Sequence, residues 1–317
     1  MEHSIVLVTG ATSGLGHAAA RLLAAEGWRE VIITGRSLAR VKQTAAQLGA
    51  EAERPVFTSL ELDLDNWFSV QSALAELSKW GRPIDFLLLN AGWIGRKERV
   101  VTAGGVEVTQ APLIGHHQLT LGLLQANLLR PNARIVIAGS ESARGDVPLF
   151  PFTDIPALAG RDYQGDRSAA VEDLLRGGPK MKYEPNRAHS DAKLIVAWWA
   201  AALSRRLPPG MAVYAVSPGS TPDTNGLRNA GPALKWLMVP LMKLIPGMSH
   251  TPETAVRRYL QASEFGTDMS GQFFASAPTK FTGPMEAMRQ PHFLDHASQE
   301  AAWQAIARVS GVDLAHQ

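Results

Sequence analysis

The stretch IVLVTGATSGLG, residues 5–16, joins a short apolar run to a glycine-rich turn and then to a helical pattern. Gly10, Gly14 and Gly16 allow the backbone to curve tightly and to approach a pyrophosphate, because glycine carries no Cβ. The helix that follows would direct its N-terminal N–H groups and its positive dipole end toward that phosphate. Such a turn between a first strand and a first helix predicts a dinucleotide site. Its candidate contacts are Gly10, Thr12, Ser13, Gly14, Leu15 and Gly16.

The alternation of apolar runs and helical patterns continues along most of the chain. After residues 5–8, apolar runs lie near 31–34, 56–62, 84–90, 134–140 and 212–218. Helical patterns between them lie near 14–26, 38–48, 66–79, 107–129 and 186–200. Strands that are apolar throughout and separated by helices indicate a parallel sheet covered on both faces. The sequence therefore predicts an α/β fold of the doubly wound, Rossmann type, with helices flanking the sheet.

Two regions interrupt this alternation, and both follow the carboxyl ends of strands. Residues 141–185, rich in Gly, Pro and Asp, are too long for an ordinary strand-to-helix connection. Residues 220–250 are irregular and include the apolar stretch 233–248, which two lysines and two prolines interrupt and which is too short for a membrane span. Because ligands bind at the carboxyl ends of such strands, we expect an irregular insertion and a lid over a substrate pocket, within one domain of residues 1–317. Association with a membrane surface is the alternative for the second region.

The composition argues against several classes of function. Thirty-one basic and 29 acidic residues give a net charge of +2 without a Lys/Arg run, so we expect no nucleic-acid partner. The chain has no cysteine, which excludes disulfides, thiolate metal sites and cysteine nucleophiles. No His/Asp/Glu cluster has the spacing of metal ligands, so no metal is expected. The N-terminus has no basic leader before its apolar run, and we expect a cytoplasmic protein.

Four further motifs follow the glycine turn and carry a resemblance to a known family. They are LDL (62–64), NAG (90–92), the segment GHHQLTLGLL (115–124) and SPG (217–219). With the spacing TGxxxGxG, they resemble the short-chain dehydrogenase/reductase superfamily, and in particular its retinol dehydrogenase and protochlorophyllide reductase branch. The resemblance covers roughly residues 4 to 225. It implies a bound nicotinamide dinucleotide, with contacts from Asp63, Leu64, Asn90, Ala91, Gly92, Lys193, Pro218 and Gly219.

The end of the second predicted strand bears on the choice between NAD and NADP. An NAD-selective site places an Asp or Glu there to hold the ribose 2′-OH, and that carboxylate would repel a 2′-phosphate. This chain reads ITGRS, with Gly35 in the acidic position and Arg36 and Ser37 directly after it. A guanidinium fork matches the geometry of a phosphate. The sequence therefore favours NADP(H), with Arg36 as the phosphate contact.

The resemblance also implies a catalytic set. In the superfamily a Ser holds the substrate oxygen, a Tyr transfers the proton, and a Lys lowers the Tyr pKa while binding the nicotinamide ribose. Ser140, at the end of the run RIVIAGS, matches the serine, with Ser142 as the nearest alternative. In HSDAK, residues 189–193, Lys193 matches the lysine, and His189 stands in the tyrosine position. Their offset of four residues places both on one helical face, so the implied catalytic residues are Ser140, His189 and Lys193.

Two members of the family's catalytic set are absent from this sequence. The tyrosine is one, and Tyr183 could replace it only if the loop before the helix folds inward. The other is an Asn on the fourth helix that supports a water relay. Its position falls on Pro112 or Leu113, depending on the side from which it is counted, and Asn127 lies more than three turns further along. Both departures from the family's catalytic set therefore affect residues that take part in proton transfer.

The chemistry of His189 separates the functions that the sequence leaves open. An imidazole has an unperturbed pKa of about 6.5, against about 10 for a phenol. A Lys193 ammonium would lower the imidazole pKa, because like charges disfavour the charged form, so neutral His189 would be a better base than acid. Three interpretations follow. The chain is an NADP(H)-dependent oxidoreductase acting on a carbonyl, an alcohol or an activated double bond; an enzyme of the same fold without net redox chemistry, such as a dehydratase, isomerase or cyclase; or a catalytically silent NADPH-binding protein.

Aromatic and apolar residues suggest what surrounds the site. We expect Trp198 and Trp199 to pack a helix against the core, and His116 and His117 to serve in packing. The two irregular regions supply residues that indicate a fairly large, apolar small-molecule substrate: Phe150, Phe152, Trp236, Leu237, Met238 and Met242. The insertion precedes the helix through which relatives associate, so a monomer or a homodimer is expected, and the insertion favours the monomer.

Overall fold

The apolar runs of the sequence form the strands of one sheet in a computed structural model that describes residues 5–92, 97–178, 180, 182–221 and 247–314. The strands are β1 (Ile5–Val8), β2 (Glu30–Gly35), β3 (Phe57–Glu61), β4 (Ile84–Leu89), β5 (Leu129–Ala138), β6 (Ala212–Val216), β7 (Phe273–Ser276) and β8 (Met285–Ala287). Strands β1, β4 and β6 are buried along nearly their whole length, because helices cover both faces of the sheet.

The strand order places a cleft at the carboxyl edge of the sheet. That order is β3-β2-β1-β4-β5-β6-β7-β8, and the pairs are parallel except for β7 and β8. Strand β1 pairs with β2 on one side and with β4 on the other, so the direction of winding reverses between β1 and β4. Ligands of doubly wound sheets bind at such a reversal, outside the carboxyl ends of the strands. The predicted fold class is confirmed.

Helices cover the two faces in separate layers. They are α1 (Gly14–Ala25), α2 (Leu38–Ala52), α3 (Trp67–Trp80), α4 (Ala111–Gln125), α5 (Ile155–Asp162), α6 (Arg167–Arg176), α7 (Pro185–Ser204), α8 (Pro252–Ser263), α9 (Pro291–Leu294) and α10 (His296–Ser310). Helices α1, α2 and α8 share one apolar cluster with the sheet, and α3, α4, α7 and α10 share the other. Many begin at a side chain that accepts a hydrogen bond from an N–H of the first turn: Ser37, Asn66, Asp154, Asp166, Thr251 and Asp295.

Two sequence-based expectations about the elements were wrong in detail. Helix α4 begins at Ala111, after the predicted start near residue 107, because Glu107 and Thr109 form a turn in which the carboxylate accepts from the Thr109 amide (2.9 Å). The insertion 141–185 is not irregular throughout, since it contains α5 and α6, each with an Asp at its N-cap. Helix α6 packs against α10, which in turn packs against α7 and α4.

The aromatic residues of α7 pack as predicted. Trp199 is fully buried and donates its indole N–H to His117 Nδ1 (3.0 Å), and Trp198 donates to the His292 carbonyl oxygen (2.6 Å). His117 Nε2 lies 2.9 Å from the Val312 carbonyl oxygen and can donate to it. Burial lowers the pKa of His117 to about 4, so its ring is neutral near pH 7 and serves in packing.

Part of the predicted lid lies outside the described residues. Only residues 220, 221 and 247–250 of the segment 220–250 belong to the described ranges. The predicted substrate contacts Trp236, Leu237, Met238 and Met242 are outside them. Along the helices of the described ranges, none is both long enough and apolar enough to cross a bilayer.

A pair of glycine substitutions tests the packing of α4. A Cβ on Gly115 would overlap the Leu64 carbonyl oxygen and lie 2.6 Å from Leu64 Cβ, whereas a Cβ on the α5 residue Gly160 would meet no atom within 4 Å. We expect Gly115→Ala to lower the free energy of unfolding by about 2 kcal/mol through overpacking. The control Gly160→Ala should raise it by about 0.5 kcal/mol, because Ala costs less backbone entropy than Gly in a helix. Urea denaturation measures both, and equal midpoints would contradict the packing described.

Candidate active site

The glycine turn after β1 lies against the residues that follow β4. Gly10 has φ +68°, and a Cβ on it would lie 3.0 Å from Ala91 Cβ. A Cβ on Gly16 would overlap the Gly10 carbonyl oxygen and lie 2.6 Å from Asn90 Nδ2. Side chains at these positions would push the turn away from the loop after β4. The turn, the start of α1 and the loop therefore form one continuous surface at the carboxyl edge.

Thr9 joins three elements beneath this surface, and sequence reasoning had not singled it out. Its Oγ1 accepts from the Ala91 amide (3.0 Å) and lies 2.9 Å from His116 Nε2, while Asn90 Nδ2 donates to its carbonyl oxygen (3.1 Å). Burial, together with the nearby Lys193 ammonium, lowers the pKa of His116 to about 3. A neutral His116 can accept the Thr9 hydroxyl proton at Nε2. Its packing role is confirmed, and it also supports the loop after β4.

The start of α1 is arranged for an anion. Ser13 is the N-cap residue in an extended conformation, and its side chain makes no capping hydrogen bond to the first turn of α1. The amides of Gly14, Leu15 and Gly16 open the helix, where N–H groups lack intrahelical partners. A Cβ on Gly35 would lie 2.9 Å from Thr12 Cγ2, so an acidic side chain at position 35 would displace Thr12. The turn can therefore hold a pyrophosphate at its helix end.

Arg36 is exposed directly after β2 and interacts with Asp65. Burial and the neighbouring Asp63 raise the pKa of Asp65, and the Arg36 guanidinium opposes this shift. Asp63 Oδ1 accepts from the Asp65 amide (3.2 Å), and the Asp63 amide donates to Ser69 Oγ (2.9 Å). Leu64 is buried against Gly115. The predicted contacts Arg36 and Asp63 thus both lie near Asp65, at the carboxyl edge of the sheet. Asp65 was not singled out from the sequence.

Ser140 follows β5 and begins a 3-10 turn, Glu141–Arg144. Its Oγ accepts from the Ser142 amide (3.3 Å) and from the Ser142 hydroxyl (3.1 Å). Since a hydroxyl has two acceptor sites and one proton, these contacts leave the Ser140 proton to be donated to a third group. Ser140 is half-buried and Ser142 is buried, so Ser140 is the serine of this pair better placed to meet a ligand.

Lys193 and His189 lie one turn apart on α7. The Lys193 ammonium donates to the Ala138 carbonyl oxygen (2.7 Å), two residues before Ser140. Burial lowers the pKa of Lys193 to about 8. A Cβ on Gly92 would lie 3.7 Å from Lys193 Nζ, so the lysine reaches the loop after β4. His189 is 8% exposed and belongs to the buried part of the helix.

The segment 149–153 crosses over the first turns of α7 and contacts His189. The Phe150 ring meets the His189 ring edge-on, with 6.0 Å between centroids. Helix α7 holds the segment at three points. Asn186 Nδ2 donates to the Leu149 carbonyl oxygen (3.0 Å), and Ser190 Oγ donates to that of Phe150 (3.2 Å). Asp191 accepts from the Thr153 amide (2.6 Å) and hydroxyl (2.8 Å).

Two aromatic residues considered in the sequence lie in other contacts. The Phe152 ring packs against the His292 ring (4.8 Å between centroids) and against Gly145, on residues other than His189. Tyr183 precedes α7, and the Arg99 guanidinium lies 5.7 Å from the centre of its ring. The residues in the position of the family's Asn, Pro112 and Leu113, are buried in the first turn of α4. His189, which the sequence places in the tyrosine position, lies on the buried face of α7 one turn before Lys193.

The turn after β6 completes the carboxyl edge. Gly219 has φ +82°, which glycine adopts without strain, and its amide donates to Ser217 Oγ (3.3 Å). The Ser217 hydroxyl donates to Glu141 Oε2, and Arg258 Nη1 donates to the Ser217 carbonyl oxygen (3.0 Å). Sequence reasoning missed Glu141 and Arg258, which are 117 residues apart. Throughout the described ranges, no group of three or more His, Cys, Asp or Glu side chains could hold a metal ion.

Comparison with known proteins agrees with this geometry. A family model for short chain dehydrogenases matches residues 4–152. The chloroplastic protochlorophyllide reductase of Chlamydomonas reinhardtii is 27% identical over 98% of this chain and 79% of that protein. The short chain dehydrogenase resG of Aspergillus sclerotiorum is 30% identical over 64% of this chain, which spans 56% of that protein.

Solved structures show the same fold. An uncharacterised protein from Mycobacterium paratuberculosis superimposes with a TM-score of 0.66 at 21% identity, over 98% of this chain and 94% of that chain. A short chain dehydrogenase from Burkholderia cenocepacia, solved in complex with NADP, gives a TM-score of 0.58 at 21% identity, over 84% and 94%. At this identity the likeness concerns the fold.

Asp191 makes the stability of the protein depend on pH in a predictable way. Burial raises its pKa to about 6, although the Thr153 hydrogen bonds oppose the shift. Between about pH 4 and pH 6 the folded state keeps a proton that the unfolded state has lost, so this contribution to stability falls as the pH rises. Asp191→Asn stays neutral and should abolish it.

The measurement is urea denaturation of the protein and of Asp191→Asn at several values of pH. From pH 4 to pH 7, the unfolding free energy of the protein minus that of the variant should fall by roughly 3 kcal/mol, the equivalent of about two pKa units. A difference that stays constant with pH would show that Asp191 is ionised throughout this range.

Proposed function

Because the chain belongs to the short-chain dehydrogenase/reductase superfamily, we propose that it is an NADP(H)-dependent oxidoreductase acting on a carbonyl, an alcohol or an activated double bond. The observation that carries the proposal is the meeting of Ser140, Lys193 and the glycine turn at one edge of the sheet. The Ser140 hydroxyl, which accepts from Ser142 and keeps its own proton for a further partner, and Lys193, which reaches the loop after β4, support a catalytic role.

Arg36 supports the preference for NADP(H). An exposed guanidinium at the end of β2 can form a fork of hydrogen bonds with a 2′-phosphate. Gly35, where an NAD-selective enzyme carries an acid, packs against Thr12 and leaves no room for a carboxylate without rearrangement. The amides at the start of α1 would hold the pyrophosphate. Asp63 would lie beside the adenosine half of the nucleotide, and Asn90 would lie beside the nicotinamide half.

His189 is proposed as the proton partner. A bound nicotinamide supplies or removes the hydride, so the chain itself must orient the substrate and move one proton. Ser140 can donate its hydroxyl proton to a substrate oxygen, and His189, one turn before Lys193, can exchange a proton with that oxygen directly or through water. An imidazole is shorter than a phenol, so the substrate oxygen must approach α7 more closely or share a bridging water.

The substrate is proposed to be apolar near the reacting group. Phe150 covers one edge of the His189 ring, and the segment that carries it is held to α7 by Asn186, Ser190 and Asp191. A ring held in this way forms a stable apolar wall. Its neighbour Leu149 is exposed and has φ +68°, a left-handed conformation that is unusual for leucine and that these contacts with α7 help to maintain.

Nucleotide titration tests the cofactor. Purified protein is titrated with NADPH and NADH while nicotinamide fluorescence is followed. Arg36→Ala should raise the Kd for NADPH about tenfold to a hundredfold, the loss of one charge-assisted contact, and leave the Kd for NADH unchanged. The control Arg29→Ala removes an exposed arginine at the opposite end of β2 and should bind both nucleotides like the unaltered protein. Failure to bind either nucleotide would refute the proposal.

A pH profile tests His189. With a panel of apolar aldehydes, ketones and activated alkenes, reduction should accelerate as the pH falls, because a protonated imidazole donates a proton to the substrate oxygen more readily than a neutral one. His189→Gln should lower kcat about a hundredfold and flatten the profile. His296→Gln, an exposed residue at the start of α10, serves as the control. An unchanged profile in His189→Gln would assign the proton to another group.

A further inference from the structure

A buried ion pair lies directly behind the candidate catalytic serine. Glu141, the residue after Ser140, is 6% exposed, and Arg258 of α8 is 5% exposed. Arg258 Nη1 donates to Glu141 Oε1 (3.2 Å), and the same carboxylate oxygen accepts from the amide (3.3 Å) and hydroxyl (3.1 Å) of Ser276 in β7. The pair therefore joins the ends of β5 and β7 to a helix on the outer face.

The second oxygen of Glu141 is used by the turn after β6. The Gly219 amide donates to Ser217 Oγ (3.3 Å), and the Ser217 hydroxyl donates in turn to Glu141 Oε2. Arg258 holds the same residue from the other side, because Nη1 also donates to the Ser217 carbonyl oxygen (3.0 Å). The Glu141 side chain thus connects the residue that follows Ser140 to the Ser217–Gly219 turn.

The remaining contacts of Arg258 fix its guanidinium in place. Nη2 donates to Ser276 Oγ (2.8 Å) and to the Gly283 carbonyl oxygen (2.7 Å). Two buried charges are costly to desolvate, and apolar residues of similar volume often serve stability equally well. Hydrogen bonds to charged groups are shorter and more directional than neutral ones. A charged pair at this point can therefore hold the Ser217–Gly219 turn at a defined distance from Ser140. An apolar contact would not specify that distance.

We propose that Glu141 and Arg258 are positioning residues that set the Ser217–Gly219 turn, and with it the nicotinamide end of the nucleotide site, relative to Ser140. This inference rests on the proposed binding of NADP(H). Neither residue touches the nucleotide, and they act through Ser217. Their loss should disturb the nicotinamide half of the site and leave the adenosine half, built by α1, Arg36 and Asp63, unaffected.

Two ligands separate the halves. NADPH occupies both, and adenosine 2′,5′-bisphosphate occupies only the adenosine half. Ser217→Ala removes the hydroxyl between Gly219 and Glu141 and keeps the ion pair. It should weaken NADPH binding about tenfold, the loss expected for a hydrogen bond to a charged group, and leave adenosine 2′,5′-bisphosphate affinity within about twofold. Glu141→Gln should show the same pattern more strongly, with reduced fluorescence of the bound nicotinamide.

Ser276→Ala is the matched control, since it removes a hydroxyl that donates to Glu141 and accepts from Arg258 Nη2, and it leaves the contacts of both charged residues with Ser217 in place. Its affinities for both ligands should remain within about twofold of those of the unaltered protein. The reason is that the hydrogen bonds of Glu141 and Arg258 to Ser217 are retained. Calorimetric titration with the two ligands and a thermal melt of each variant complete the experiment.

The outcomes separate this inference from the proposed function. Equal losses of NADPH affinity in Ser217→Ala and Ser276→Ala, or a parallel loss of affinity for both ligands in Ser217→Ala, would show a purely structural role and overturn the inference. Unaltered NADPH affinity in Ser217→Ala would overturn it as well, even if Glu141→Gln fails to fold. Absence of NADPH binding by the unaltered protein would overturn the proposed function, and this inference with it.

Discussion

The close approach of the glycine turn after β1 to the loop after β4 is the constraint on which the site depends. Gly16 lies against the Gly10 carbonyl oxygen and Asn90, and a single added carbon there would separate them. Thr9 then fixes the loop from below, because its hydroxyl accepts from Ala91 and contacts His116. His116 belongs to α4, so the position of the nucleotide surface is tied to the packing of α4 against the sheet. Gly115, next to His116, permits that packing by its contact with Leu64.

The two halves of the site are held by different kinds of contact. The adenosine half is local, since the turn, α1 and the end of β2 lie within about thirty residues and follow from strand and helix geometry. The half that is proposed to be catalytic depends on contacts between distant segments. Lys193 reaches the end of β5, Asp191 reaches Thr153, and Arg258 reaches Glu141. These contacts are polar and buried, so their geometry is specified by hydrogen bonds as well as by packing.

This division explains what could be predicted from the sequence. Apolar runs and glycine spacing predicted the sheet and the positions of Gly10 and Arg36, because both patterns reflect local backbone requirements. The helices inside 141–185 were missed, since their polar N-caps, Asp154 and Asp166, resemble turn residues when tertiary contacts are unknown. Arg258 was missed for another reason. The sequence around an arginine on a surface helix is the same whether its side chain meets solvent or a carboxylate 117 residues away. Only the fold distinguishes the two cases.

If His189 is the proton partner, as proposed, an imidazole takes the place of a phenol on a helix whose neighbouring contacts are well defined. Helix α7 is held on one side of His189 by Asn186 and on the other by Lys193, through the Leu149 and Ala138 carbonyl oxygens. These two contacts fix the helix on either side of His189. The imidazole therefore differs from a phenol in two respects, its reach and the pH range over which it carries a proton, and both act on the reacting group alone. A ligand that lies closer to α7, or a bridging water, would make up the difference in reach between an imidazole and a phenol.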